Sequence, residues 1–197
     1  MRSREDSFRG NWTKNAPKYF ILHSRQDKVQ KFLFSHKTST LKVKFICIGK
    51  TGKSFLEEGE NEYLKRLKHY IQVERIEIPD LKNQKKLTFE QIKEQEGKEI
   101  LSKLASGDQL ILLDERGDQF SSVQFSTVLQ QKLNSGGKAI AFVVGGAYGF
   151  SPEVYATANG KISLSKMTFS HQMVRMIFFE QLYRAMTILR GEPYHHE

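Results

Sequence analysis

The sequence predicts an α/β domain: a parallel sheet with helices packed on both faces. Three observations carry this. Five strand-like apolar runs alternate with five helical patterns from Leu41 to Arg190. The connections between them are short, as in βαβ units. Two of the runs, "LILLD" and "AIAFVV", are apolar almost without interruption, as expected of strands covered on both faces.

The first strand is "LKVKFICI", alternating at first and then continuously apolar. A Gly-Lys turn leads to a helix from about Ser54 to Tyr70, with Phe55, Tyr63, Leu67 and Tyr70 on one stripe. "VERIEI" is the second strand, stopped by Pro79 and Asp80. Thr88, with Gln91 three residues on, forms a capping box for a charged helix ending near Leu104. "DQLILLD" is the third strand. Ser121 or Ser122 caps the next helix, which ends at "NSGG". "AIAFVV" is the fourth strand, and Ser151 with Pro152 opens a short helix. "KISLS" is the fifth strand. The last helix spans about His171 to Arg190 and is closed by Gly191 and Pro193.

With 197 residues, the chain is one domain or one domain with an appendage. Residues 1–40 carry nine Lys/Arg against three Asp/Glu, so most of the +9 net charge belongs to this leader. It lacks the apolar core of a secretory signal; it reads as an organelle-targeting segment, against which Glu5, Asp6 and Asp27 argue, or as an extension outside the fold. The single cysteine, Cys47, has no partner, which excludes an internal disulfide and a cysteine-based metal cluster. No apolar stretch approaches the ~18 residues of a spanning helix, so a soluble protein is expected.

Candidate chemistry gathers at the carboxyl ends of the strands, where open α/β sheets bind ligands. "GKTGKS" resembles a phosphate loop, but neither register places a glycine five residues before the Gly of its GK[ST]. "FVVGGAYGFSPE" places Gly145, Gly146 and Gly149 between a buried strand and a capped helix; this is either a tight turn or a ligand cradle. Asp114 and Glu115 can bind Mg²⁺ or a ribose, or simply cap a turn. "SLSKMTFSHQMVR" is rich in small polar residues that fit turn chemistry or a pocket wall. In the last helix, His171 and Arg175 share a face, and Arg184 lies about half a turn away around the axis. Met173, Val174, Met176, Ile177, Phe178, Phe179, Leu182 and Met186 wrap wider than one core-facing stripe requires. This fits either a buried helix with two surface arginines or a helix covered on two sides, by its own sheet and by another subunit. His195 and His196 are adjacent and point apart in an extended chain, which disfavours a metal site. On these features alone, a flavodoxin-like nucleotide-binding or signalling module and a metal-dependent nuclease also fit.

"VVGGAYG", "SLSKMTFSHQMVR", "EQLYRA" and the closing "PYHHE" resemble the small SPOUT-superfamily methyltransferases that modify N3 of a pseudouridine in large-subunit ribosomal RNA. The resemblance runs from Leu41 to Glu197 in the same order, marking 41–197 as a single domain. It implies a C-terminal deep trefoil knot, S-adenosylmethionine as cofactor and a homodimer. With 22 Lys/Arg against 19 Asp/Glu, residues 41–197 are too weakly basic to hold naked RNA by phosphate contacts, so the assembled ribosome in the cytoplasm is the expected partner, with neither metal nor membrane. By position it assigns the cofactor to Leu113, Gly145, Gly146, Ser165, Lys166, Met167, Thr168, Phe169 and Ser170. It assigns the substrate side to His171, Arg175, Arg184, Tyr194 and His195, with the arginines as phosphate or anion contacts.

Overall fold

A computed structural model describes residues 42–196; the expectation for residues 1–40 lies outside the described residues. Five strands form one sheet: β1 (Lys42–Ile48), β2 (Gln72–Ile78), β3 (Gln109–Gln119), β4 (Ala139–Val144) and β5 (Gly160–Ser163). The order is β2-β1-β4-β3-β5 and every pairing is parallel, as the alternation of elements predicts. The helices are α1 (Ser54–Leu67), α2 (Phe89–Ser102), α3 (Ser122–Asn134), α4 (Pro152–Thr157) and α5 (His171–Arg190), with a 3₁₀ turn at Gln84–Lys86. The expected capping box of Thr88 with Gln91 is present; of Ser121 and Ser122 it is Ser121 that caps α3, in a second box with Gln124, and Ser151 and Ser170 cap α4 and α5.

The alternation of strand side chains divides the core into two layers. Ile46, Ile48, Leu110, Leu112, Ala141 and Val143 face Ile100 of α2 and Val154 of α4. On the other face, Phe45 and Phe142 meet Phe178 and Phe179 of α5, with ring centroids 4.5–5.3 Å apart. Each fully buried aromatic of this kind is worth about 1.5–3 kcal/mol by area alone. Phe178 and Phe179 are therefore spent on the chain's own sheet, while α1 and α3 both pack against α5. Cys47 lies in the same layer, and burial pushes its thiol up to about 11, so it packs as an inert apolar group.

Three local readings are corrected. Phe55 is 61% exposed, and the buried face of α1 consists of Leu67, as expected, with Leu56 and Glu60. The helix also stops at Leu67, where Lys68–Tyr70 continue as a turn closed by Tyr70 N–H on the Leu67 carbonyl at 2.9 Å. Strand β3 does not end at Asp114. After a register shift between Leu113 and Asp118 it pairs again with Ile162 and Ser163 of β5. The polar "ERGD" hides this strand from an apolar-run reading. Gly117 permits it, since a Cβ there would sit 2.6 Å from the Ile162 backbone.

A fourth correction concerns Arg175, expected as an anion contact. It is 1% exposed, among the largest buried side chains. Its Nη2 donates to the Ile48 carbonyl at 2.6 Å, and Nη1 donates to the Gly49 carbonyl and Thr51 Oγ1, both at 3.1 Å. The Thr51 hydroxyl donates to Glu60 Oε1 at 2.7 Å, and Glu60 Oε2 accepts from Arg75 at 3.1 Å. Burial raises the Glu60 carboxyl above the ordinary range, against Thr51 and the two arginines. The "GKTGKS" loop is thus a latch: Gly52 N–H also donates to Gln172 Oε1 at 3.0 Å. Arg175→Leu strands these carbonyls and leaves Glu60 with one cation fewer. Breaking a buried charge network of this kind costs about 3–5 kcal/mol. Equilibrium urea unfolding at pH 7 should show a loss of that size, and a loss under about 1 kcal/mol would refute the assignment.

Candidate active site

The loops after β3, β4 and β5 converge on one cavity of about 640 Å³, within the range of small-molecule sites. Its floor is apolar: Leu113, Val144 and Ile162 at the strand ends, with Val174 from α5. Gly145, Gly146, Ser165, Met167, Thr168, Phe169 and Ser170 line it together with His171. All the residues assigned to the cofactor by resemblance meet here except Lys166, which is exposed and is not among the lining residues.

Each wall has a local cause. The β4 loop turns tightly, with Gly149 N–H donating to the Gly146 carbonyl at 3.2 Å. The paired glycines are dictated from beneath as well as from the cavity. A Cβ on Gly145 would lie 3.1 Å from the Phe150 ring, and one on Gly146 only 2.5 Å from Glu96 Oε2. A side chain at Gly146 therefore collides with Glu96 before it occupies the cavity. The polar run between β5 and α5 is partly turn chemistry. Ser163 donates to the Ser165 carbonyl at 2.8 Å, and Ser165 Oγ accepts the Met167 N–H at 2.9 Å. Met167 is left 74% exposed at the rim. Asp114 caps its own turn by accepting Arg116 N–H at 2.7 Å and also accepts the Tyr155 hydroxyl. Burial, then Asp114, push that phenol up to about 12.

The substrate-side candidates fall in two places. His171 stands on the cavity wall at the first turn of α5. Burial, then the Arg175 charge, lower its imidazole below the ordinary 6.5, with Asp80 acting the other way, so it is neutral at pH 7. Arg184, Tyr194 and His195 lie elsewhere. From His171 to Arg184 along α5 is about 20 Å at ~1.5 Å per residue, and none of the three lines the cavity. The tail folds back on α5. Tyr194 donates to Glu180 Oε1 at 3.2 Å, its ring meets Tyr183 edge-on at 4.7 Å, and the Arg184 guanidinium covers it at 4.7 Å. Arg184 itself is held by Glu180 at 2.6 Å and lies 3.3 Å from His195 Nδ1. Burial drives the Tyr194 phenol well above its usual range, so it is a hydrogen-bond donor and not a base.

Two features escape the sequence reading. Phe89 and Tyr148 stack at 4.3 Å with their rings 24° apart at the cavity rim, and both are more than two-fifths exposed. Only their separation of some sixty positions hides the pairing. Glu96 is buried among Ile92, Gly97 and Ile100 on α2; a carboxylate in phase with an apolar stripe was the available signal. Among the described residues no group of three His, Cys, Asp or Glu could hold a metal ion, and no helix is long and apolar enough to cross a membrane.

Comparison with known proteins places this geometry. A family model described as "Predicted SPOUT methyltransferase" matches residues 41–195. A protein of Parabacteroides distasonis named Ribosomal RNA large subunit methyltransferase H is 58% identical over 157 residues, covering 80% of this chain and 100% of that protein. The protein of the same name from Flavobacterium johnsoniae is also 58% identical over 157 residues, with the same coverage. That of Porphyromonas gingivalis is 50% identical over 157 residues, again 80% of this chain and 100% of its own length. The matched span contains the whole sheet, every wall of the cavity and the folded-back tail: the chain belongs to the SPOUT methyltransferases.

Proposed function

We propose that this chain methylates N3 of a pseudouridine in large-subunit ribosomal RNA, using S-adenosylmethionine and acting as a homodimer on the assembled ribosome in the cytoplasm. The observation that carries the reading is the cavity walled by the Gly145–Gly146 turn and the Ser163–Ser170 loop. It occurs in a chain more than half identical to proteins named for that ribosomal RNA. The same reading makes 41–197 the catalytic domain, with a trefoil knot in its C-terminal part and residues 1–40 as an extension.

The residues present fit the cofactor. Leu113, Val144 and Ile162 offer an apolar bed for an adenine, and the glycine backbone admits a ligand to close range. When bound, S-adenosylmethionine supplies an activated methyl group on a sulfonium. The protein's share is alignment, worth roughly 7–11 kcal/mol in well-oriented systems, and management of one proton. The imide N3–H must be lost before the nitrogen can attack, and neutral His171 on the cavity wall is the group poised to accept it. Arg184, beside Tyr194 and His195, is the cation suited to the resulting anion.

These groups are about 20 Å apart along one helix. A base in contact with both is therefore reached by His171 of one copy and the tail of another. Half-buried Met173 and Ile177 on α5 suit an interface there. At the cavity rim, the stacked pair Phe89–Tyr148 stands close in sequence to exposed Lys82, Lys85 and Lys86, which make no ion pair among the described residues. Aromatic rings beside lysines suit a nucleic-acid strand.

Two outcomes test this reading. Deleting residues 193–197 should leave S-adenosylmethionine affinity within about twofold by calorimetry, well inside the ~1.4 kcal/mol of a tenfold change. Tritiated-methyl transfer to ribosomes lacking the modification should fall about a hundredfold or more, since stacking and a charge contact are lost together. Equal transfer rates would exclude the tail from the site.

The shared site has its own test. Gly146→Ala should abolish cofactor binding in its own subunit, because the added methyl displaces Glu96. Mixed and re-annealed with the tail-deleted form, the two inactive proteins should recover about a quarter of wild-type activity. Half the dimers are then hybrids with one intact site each. No recovery, with hybrids verified by mass spectrometry, would refute a site shared between copies.

A further inference from the structure

Glu96 lies under the cofactor loop and is 4% exposed. The Gly146 N–H donates to its carboxylate, while Oε2 is buried with no hydrogen-bond partner. An ideal Cβ on Gly146 would stand 2.5 Å from Oε2 and 2.8 Å from Oε1, so carboxylate and loop backbone are in direct contact. Asp80, following β2, is the charged group that acts on it from a neighbouring element. From α4, the side packed nearby at Gly97 is the uncharged Ser151; on α2 itself, Lys93 is one turn earlier and lines the cavity. A buried carboxylate with an idle oxygen is expensive to keep, and a packing role alone would be met by an apolar side chain.

We infer that Glu96 is a positioning residue of the cofactor site, orienting the Gly146 peptide and supplying, when ionised, a buried negative charge that favours the cationic sulfonium over the neutral thioether left after methyl transfer. This rests on the cofactor assigned under the proposed function. Because Gly146 lines the cavity and Glu96 touches Gly146, the carboxylate acts across a single backbone layer, where water does not screen it. On transfer, the S–CH₃ bond breaks as the N–CH₃ bond forms. The bonding pair stays on sulfur, and its positive charge vanishes. The attraction to Glu96 goes with it, which weakens the hold on the product relative to the donor.

The sign of the pH dependence follows. Burial, then the Asp80 charge, push the Glu96 carboxyl up to about 7, opposed by the Gly146 N–H. Raising the pH through that value ionises it. A cationic ligand favours the ionised form, so its affinity rises over the same window and a proton is released on binding. A neutral ligand gains nothing from the change.

The test is calorimetric titration of the full chain with S-adenosylmethionine and with S-adenosylhomocysteine, from pH 6 to pH 8. The two ligands share their adenosine and amino-acid groups and differ in the charge on sulfur. Affinity for S-adenosylmethionine should rise roughly tenfold across the range, a typical coupling between sites, and that for S-adenosylhomocysteine less than about twofold. Titrations at pH 7 in buffers of different ionisation enthalpy should show proton release with S-adenosylmethionine alone. In Glu96→Gln, which keeps the side chain's shape, the difference between the two slopes should vanish, with thermal unfolding confirming the fold. Equal slopes for both ligands in the wild-type protein, or an unchanged difference in Glu96→Gln, would overturn the inference. Failure of both ligands to bind the wild-type protein would instead overturn the cofactor assignment on which it stands.

Discussion

A guanidinium group taken out of water must find acceptors, and Arg175 finds them at the end of β1. The Ile48 and Gly49 carbonyls are main-chain groups left over where the strand stops, so no side-chain substitution elsewhere can replace them. Their engagement fixes α5 against the centre of the sheet, one turn beyond the point where His171 meets the cavity. The same contact holds the β1 loop through Thr51 and reaches Arg75 through Glu60. Two arginines, Glu60 and Glu77 form a balanced set beneath the carboxyl edge. That edge is where rigidity matters, because methyl transfer depends on placing two atoms in line.

The cavity shows a similar economy. Its glycines answer two demands at once: a ligand approaches on one side, while Phe150 and Glu96 press on the other. The loop before α5 satisfies its own backbone with Ser163, Ser165 and Ser170 and leaves Met167 and Phe169 outward. Carboxyl groups are buried on both sides of the sheet, Glu60 on one and Glu96 on the other, although such groups are almost never fully buried unless paired.

Sequence periodicity carried most of the sheet, since strands covered on both faces are nearly pure apolar runs, and four of the five expected helix starts have a capping side chain in place, α1 being the exception. The second half of β3 was illegible because its polar residues sit at the sheet's edge, where pairing with β5 needs only backbone and a glycine at 117. Phe55 fell on the wrong side of α1 because the true stripe contains Glu60, a charge that no hydrophobicity reading places inside. The role of Arg175 was misassigned and Glu96 was missed for the same reason: their acceptors and donors are main-chain atoms of distant segments, invisible to local pattern. The cavity residues were reached through family motifs, and only the fold explains why those motifs meet. The partition of His171 from Arg184 and Tyr194 depends on helix length and tail direction, which no motif conveys.

The placement of β1 in the sheet has a bearing on how the chain is made. The first strand pairs with β2 on one side and β4 on the other, so Lys42 waits for Ala139 before its second edge is covered. At about 5–20 residues per second, that delay is roughly 5–20 s of synthesis. Throughout it, an edge rich in Phe, Ile and Val stays open to wrong partners. The Ile48 and Gly49 carbonyls wait longer still, until α5 has left the exit tunnel and Arg175 can reach them. Closure of the sheet's carboxyl edge is thus among the last events of biosynthesis, and a nascent chain halted before α5 would carry every strand without the latch that sets the cavity.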